Sequence, residues 1–295
     1  MSFSVTESMV QQFGSNFRIL GQQKTARLLP WVQNEGHITG TAKSVERLGK
    51  TEAYDLTSRH SDTQYVQVPH SRRWLDLADK AWAELVDEMD KIKMLADPTS
   101  QYLQLGVAAL NRAKDDVIYN AARGIARAGT GATSTNIALP ASQKIAAGGA
   151  GLTLAKLMTA KELLDAAEVD DVLDADGQGT AQRVLVVTSR QITNLLNTTE
   201  IKSIDYNNVK ALAAGQVDTF LGFKFVRTER LAKTGTDRYC VAWTRGAVAY
   251  GTGMDIQHNI DTLPGKNYSV QVYARESIGA VRVEDEGVVE IACFE

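Results

Sequence analysis

Apolar residues at Leu103, Val107, Leu110, Ala113, Val117, Ala121 and Ile125 fall on one stripe at helical spacing. Arg112, Asp115, Asp116, Asn120, Arg123 and Arg127 fall opposite. The spacing predicts a helix over residues 98–127, with Pro98 in its first turn and Gly129 and Gly131 ending it. At ~1.5 Å per residue such a helix is a rod of roughly 45 Å. A second helical face is predicted within residues 74–96, from Trp74, Leu77, Ala78, Ala81, Trp82, Leu85, Met89 and Ile92. Asp97 and Pro98 would stop it, because the residue before a proline leaves the helical region. On that reading Trp74 and Trp82 share a face as core or interface anchors. Residues 154–169, 191–197 and 207–214 read as further helices.

The remaining pattern has the period of strands. RVLVVT at 183–188 is a continuous apolar run, as in a strand covered on both faces. VDTFLGFKFVR at 217–227 reads as strand, glycine turn, strand, and RYCVAWT at 238–244 as one strand more. Residues 268–274, 280–284 and 288–294 alternate as three strands of a small antiparallel sheet, with Gly279 and Gly287 between them. Residues 36–69 are poor in large aliphatic groups. Alternation at Ile38, Gly40 and Ala42 and again through Tyr65 to Val68, around a polar turn at 55–62, predicts a long two-stranded hairpin. A hairpin alone is marginal in water, so this one needs another chain or domain to hold it. Residues 1–30, rich in Gln and Ser with apolar anchors at Met9, Phe13, Phe17, Ile19 and Leu20, read as an arm along another surface. Small residues dominate 128–151, the expected linker and domain boundary, with a flexible glycine hinge at 148–151.

Composition narrows the class. A chain of 295 residues with 44% hydrophobic content can bury a sizeable core, which excludes a mostly disordered chain. Nothing approaches ~18 uninterrupted apolar residues, so no membrane-spanning helix is expected. The start lacks a basic segment followed by an apolar one, so neither is a secretory signal, and synthesis in a cytoplasm is expected. A formal net charge of -3 does not suit a protein whose main task is to grip a duplex. Cys240 and Cys293 sit in apolar, strand-like runs and are expected as reduced, buried thiols.

A search for catalytic chemistry returns nothing positive. The glycine clusters at 129–131 and 148–151 lack the phosphate-loop lysine. Asp174, Asp176 and Gly177 resemble part of a calcium loop, but its register puts Val172 and Arg183 at ligand positions. His37, His60, His70 and His258 are scattered, with no metal-ligand spacing. The adjacent pairs Asp115/Asp116 and Asp170/Asp171 read as solvent-facing. No catalytic residue, metal or cofactor is expected, and the chain is read as no enzyme.

The order of parts carries a resemblance. It lies in LVDEMDKIKMLADPTSQYLQLGVAALNRAKDDVIYNA (85–121), RVLVVTSRQITNLLN (183–197), AGQVDTFLGFKFVRTERL (214–231), CVAWTRGAVAYGTG (240–253) and SIGAVRVEDEGVVEIAC (277–293). Taken in this order and spacing, the chain resembles the major capsid proteins of tailed bacteriophages with the HK97-like fold. The resemblance implies an α+β fold with an N-terminal arm (1–30), an extended hairpin loop (31–72), a peripheral domain with a spine helix (73–150, helix 98–127), an axial domain (151–262) and returning peripheral strands (263–295). It also implies a small-residue helix after the strand at 240. By the same resemblance, pentamers and hexamers build an icosahedral shell around double-stranded DNA, in the virion and assembled in the host cytoplasm. Implied partners are further copies of the chain, a separate scaffolding protein, a portal protein, DNA held without sequence preference and, as an optional addition, a decoration protein; no membrane is implied. Intersubunit contacts are expected at Phe13, Phe17, Lys43, Arg47, Lys50 and Arg59, and DNA-facing charge at Arg112, Arg123 and Arg127, although intersubunit pairing is the stronger reading for those three. Lys43 and Lys50 lie on the loop, but no covalent cross-link is expected. Two alternatives stand beside it. One is an encapsulin-type compartment of the same fold enclosing enzymes. The other is a two-layer α/β enzyme or binder, which leaves arm and hairpin without a purpose.

Overall fold

The computed structural model describes residues 20–56, 58–59, 62–87, 99–130, 133–168, 183–197 and 219–295. Their contacts divide into two compact units. The described parts of Met1–Thr25, Asp79–Arg112 and Asp255–Glu276 form one; those of Ala26–Ala78, Ala113–Met254 and Ser277–Glu295 form the other.

The core of the larger unit is a mixed sheet. Its strands run in the order β7 (Lys144–Ile145), β15 (Val288–Phe294), β12 (Asp237–Thr244), β8 (Arg183–Val187), β10 (Phe223–Arg227), β9 (Thr219–Phe220), with β11 (Lys233–Thr234) on β12. All five residues of β8 are buried, as its unbroken apolar run requires of a strand covered on both faces. β8 and β10 are parallel; β12 is antiparallel to both β8 and β15. Between β9 and β10, Leu221 and Gly222 both have positive φ, the backbone of a tight hairpin turn. Helix α2 (Leu154–Ala166) is capped by the Thr153 side chain, which accepts from the Lys156 amide. The Lys156 ammonium donates to the carbonyls of Ala147, Ala150, Gly151 and Ala292 at 2.7–3.0 Å. The glycine turn expected as a flexible hinge is thereby pinned to β15. Cys240 and Cys293 are buried free thiols.

Two further sheets have four strands each. One has the order β2 (Ala42–Leu48), β3 (His70–Asp76), β5 (Ala126–Thr130), β6 (Thr133–Ile137). The other has the order β1 (Gln33–His37), β13 (Val248–Leu263), β14 (Ser269–Arg282), β4 (Ala78–Val86). Helix α1 runs over Thr99–Arg123 and α3 over Ser189–Asn197.

Several sequence expectations are corrected. The helix predicted within 74–96 is strand β3 and strand β4 through residue 86; residues 88–98 lie outside the described ones. Trp74 and Trp82 therefore share no helical face. Cross-strand pairing supplies more here than a local helical pattern can, since isolated helical turns are weak. The long helix exists but ends at Arg123, where the Gly124 amide bonds back to the Asn120 carbonyl at 2.8 Å. Ile125 is exposed, and Arg127 lies on β5 rather than on the helix. The linker at 128–151 holds the β5–β6 hairpin: backbone ladders need no large side chains. The expected helix after Thr244 is a three-residue turn, Arg245–Ala247, followed by β13. The strands predicted at 268–274 and 280–284 are one strand, β14, and β15 pairs with β12. Gly279 sits inside β14 because a Cβ there would strike the Asp76 carbonyl. The helix expected at 207–214, the acidic residues at 170–176, Phe13 and Phe17 lie outside the described residues.

Candidate assembly surface

The predicted hairpin is present, with its strands set closer to the body than the sequence suggested. β2 and β3 pair antiparallel from Ala42 opposite Asp76 to Leu48 opposite His70, and the Gly49 amide closes on the Pro69 carbonyl at 2.7 Å. Beyond that closure, the described residues between 50 and 69 form no helix or strand. Leu48, Tyr54, Leu56, Tyr65, Val66 and Val68 are all exposed, Tyr65 by 91%. Large apolar groups exposed together on this loop and at the adjoining end of β2 mark an interaction surface.

The root of the hairpin is held far more firmly than its tip. Leu75 is buried in a small core with Ile38, Ala126, Ala249, Val281 and Val283. The Trp74 indole donates to the Gly129 carbonyl at 2.7 Å and lies under the guanidinium groups of Arg72 and Arg127. Arg127 also pairs with Asp76. On the other face Arg73, 2% exposed, pairs with Asp285 at 2.6 Å. Asp285 accepts equally from Arg282, which is fully buried. Arg282 donates to the carbonyls of Ala122 and Gly124, acceptors that the end of α1 leaves without helical partners, and to that of Ile137 on β6, at 2.5–3.2 Å. Burial pulls the Arg73 pKa down, and Asp285 opposes that shift.

The chain entering the larger unit is fastened to α1. Asp115, 2% exposed, accepts from the amides of Arg27 and Leu28 at 3.0–3.1 Å, and Asp116 pairs with Arg230. These two carboxylates thus bind other segments instead of facing solvent. Tyr119 donates to the Tyr239 carbonyl at 2.8 Å and accepts from the Ala232 amide at 3.2 Å. A cavity of about 440 Å³ beside them is lined by Asp116, Tyr119, Asn120, Glu229 and Arg230. Among the described residues no three His, Cys, Asp or Glu side chains converge as metal ligands.

The residues singled out in the sequence fall in different settings. Lys43 pairs with Glu35 at 2.8 Å; Lys50 donates to the Ala167 carbonyl at 2.7 Å; Arg59 is exposed on the loop. Arg47 lies on β2 and forms no ion pair among the described residues. Arg112 donates to the Gln22 side chain and the Gln23 carbonyl. Arg123 pairs with Glu290 at 2.8 Å and stacks over Tyr239 at 4.3 Å. Arg282 and Asp285 were missed; the one signal is an arginine between Val281 and Val283 in a strand-like run, followed by Glu284 and Asp285.

A family model described as phage capsid protein matches residues 5–295. The chain belongs to that family. Solved structures share the fold of this capsid protein at low identity. The capsid of Ralstonia phage GP4 is 10% identical with a TM-score of 0.77, covering 97% of this chain and 95% of that one. A chain of Mycobacterium phage Che8 is 18% identical at a TM-score of 0.67, covering 96% and 97%. The capsid of Helicobacter pylori bacteriophage KHP30 is 8% identical at 0.70, covering 100% and 98%. No curated protein sequence matches significantly. The capsid protein is thus a structural shell component of a virion with the HK97-like fold, and it associates with itself; an encapsulin compartment is not favoured.

Proposed function

We propose that the protein assembles as pentamers and hexamers into an icosahedral shell around phage double-stranded DNA, in the host cytoplasm, and that it has no catalytic role. The observation that carries this reading is the loop beyond Gly49 and Pro69, where Tyr54, Leu56, Tyr65, Val66 and Val68 are exposed among the described residues, next to an exposed Leu48 at the end of β2. Burying them against a neighbouring copy contributes at ~25 cal/mol per Å² of apolar surface, and a shell repeats that contact in every subunit. Arg59 is the charged contact best placed on the loop, with Phe13 and Phe17 acting from the arm. Arg112, Arg123 and Arg127 each have a partner within the chain, which weighs toward a structural role for them over contact with DNA. In this reading the arm is 1–30, the extended loop 31–72, the peripheral domain 73–150 with 263–295, and the axial domain 151–262. A scaffolding protein, a portal and a decoration protein complete the set of partners.

The test replaces residues 50–68 with a two-residue Asn-Gly turn, which suits the closure at Gly49 and Pro69. The variant should melt within a few degrees of the wild type yet form no closed shells by electron microscopy under conditions where the wild type does. Closed shells of normal size from that variant would sink the assignment.

A further inference from the structure

Three arginines gather at one end of the parallel strand pair in the larger unit. Arg227, the last residue of β10, lies opposite Val187, the last of β8, and the Thr228 amide extends the ladder to the Val187 carbonyl at 2.9 Å. Arg190 follows three residues after Val187, in the first turn of α3. Arg27 reaches the same end of the sheet, its Nη1 donating to the Arg227 carbonyl at 2.6 Å. All three are exposed, and none forms an ion pair among the described residues. The carboxylates around them are already engaged. Asp115 accepts from the amides of Arg27 and Leu28, Asp116 pairs with Arg230, and Glu229 accepts from the amide and hydroxyl of Ser189. A chain of net charge -3 thus carries a local excess of positive charge here. The surface has no apolar centre: among the described residues, none of the exposed large apolar side chains lies in 24–28, 187–197 or 223–232. Protein-docking surfaces are built around aromatic or aliphatic anchors, whereas phosphate contacts need only charge and fixed donors.

We propose that Arg27, Arg190 and Arg227 form a contact surface for the phosphate backbone of double-stranded DNA, held without reading of its sequence. The inference rests on the reading that the shell encloses DNA, and it names the side chains that would touch it. Guanidinium forks suit phosphates because two N–H groups meet two oxygens. Arg123 and Arg127, by contrast, are each neutralised by a carboxylate within the chain. The strand ends and the helix start fix the spacing of the three charges, so little order has to be created on contact.

Full-length, unassembled protein is titrated into a short fluorescent DNA duplex, and binding is followed by anisotropy as the salt is raised. Three phosphate contacts, at ~0.9 counterions released per contact, should weaken wild-type affinity about 40-fold between about 50 and 200 mM salt. The double variant Arg190→Gln, Arg227→Gln keeps one contact, so the same change in salt should weaken it only about 3-fold. Neither of those two side chains has a hydrogen-bond partner among the described residues, so the double variant should melt with the wild type. Unchanged affinity and salt dependence in the double variant would overturn the proposal, as would the absence of wild-type binding at the lower salt. Tighter wild-type binding to polyglutamate of equal charge than to the duplex would assign the surface to an acidic protein segment and overturn it as well. Each reading is taken on unassembled protein, so its failure is distinct from a failure to form shells, which electron microscopy scores separately.

Discussion

Tyr119 joins α1 to two other segments through one hydroxyl, which donates to the Tyr239 carbonyl and accepts from the Ala232 amide. Burial pushes its pKa up from the ordinary 10.0 to about 12, and the neighbouring Arg123 charge opposes the shift. The folded value lies above the unfolded one. Its contribution to stability is therefore fully present below about pH 10 and is lost as the pH climbs toward 12. Tyr119→Phe should cost about 1–2 kcal/mol in urea unfolding at pH 9, and the gap to the wild type should shrink by pH 11. A gap that stays constant across that range would count against the buried hydroxyl. At this scale the sequence was read well for Cys240 and Cys293, whose apolar surroundings announced burial. It was read badly for Asp115, because a carboxylate bound to the amides of Arg27 and Leu28 looks, in sequence, like any charge on a polar helix face.

Among the elements, α1 and β4 show why local pattern misleads. Gly106 lies inside the helix, where alanine would ordinarily be favoured by about 1 kcal/mol. Here a Cβ would come within 2.5 Å of Trp82 Cε3, so the glycine makes room for the indole. Gly106→Ala should destabilise the protein by roughly 1–3 kcal/mol through overpacking, and Trp82→Leu in the same chain should recover much of it. Urea melts of the two single variants and the double variant measure that coupling; purely additive losses would argue against the contact. Trp74, Leu77, Ala78, Ala81, Trp82 and Leu85 also satisfy helical spacing, so the sequence alone places Trp82 on a helical face. Neither β3 nor β4 stands alone: β3 pairs with the preceding β2 and the distant β5, and β4 with the distant β14. The β8 run and the α3 segment were legible because each is a complete pattern, continuous or amphipathic, within a few residues.

For the whole molecule, the contrast between a fixed root and a bare tip governs behaviour. Lys50 and Arg59 stand on exposed backbone outside any helix or strand, the setting in which proteases cut. Brief trypsin treatment of unassembled protein should cleave first at Lys50 and Arg59, identified by mass spectrometry, while assembled shells should resist at those two sites. Equal cleavage rates in both states would mean that the loop stays uncovered on assembly. Self-association is expected from what residues 36–69 are short of: with few large aliphatic groups, a hairpin there has little core of its own.

The order of hairpin, long helix and mixed α/β body, and with it the phage capsid family, could be drawn from the sequence alone. So could the helices at 154–166 and 189–197 and the strands at 183–187 and 237–244, where burial and propensity act over a few neighbouring residues. Tertiary structure decided which strands carry the hairpin, where α1 stops, and that residues 126–137 form a ladder. It also decided that Arg282, 158 residues beyond Gly124, caps the end of α1. Such partners are set by the path of the chain in space, and no local period along a sequence encodes a bond between residues that far apart.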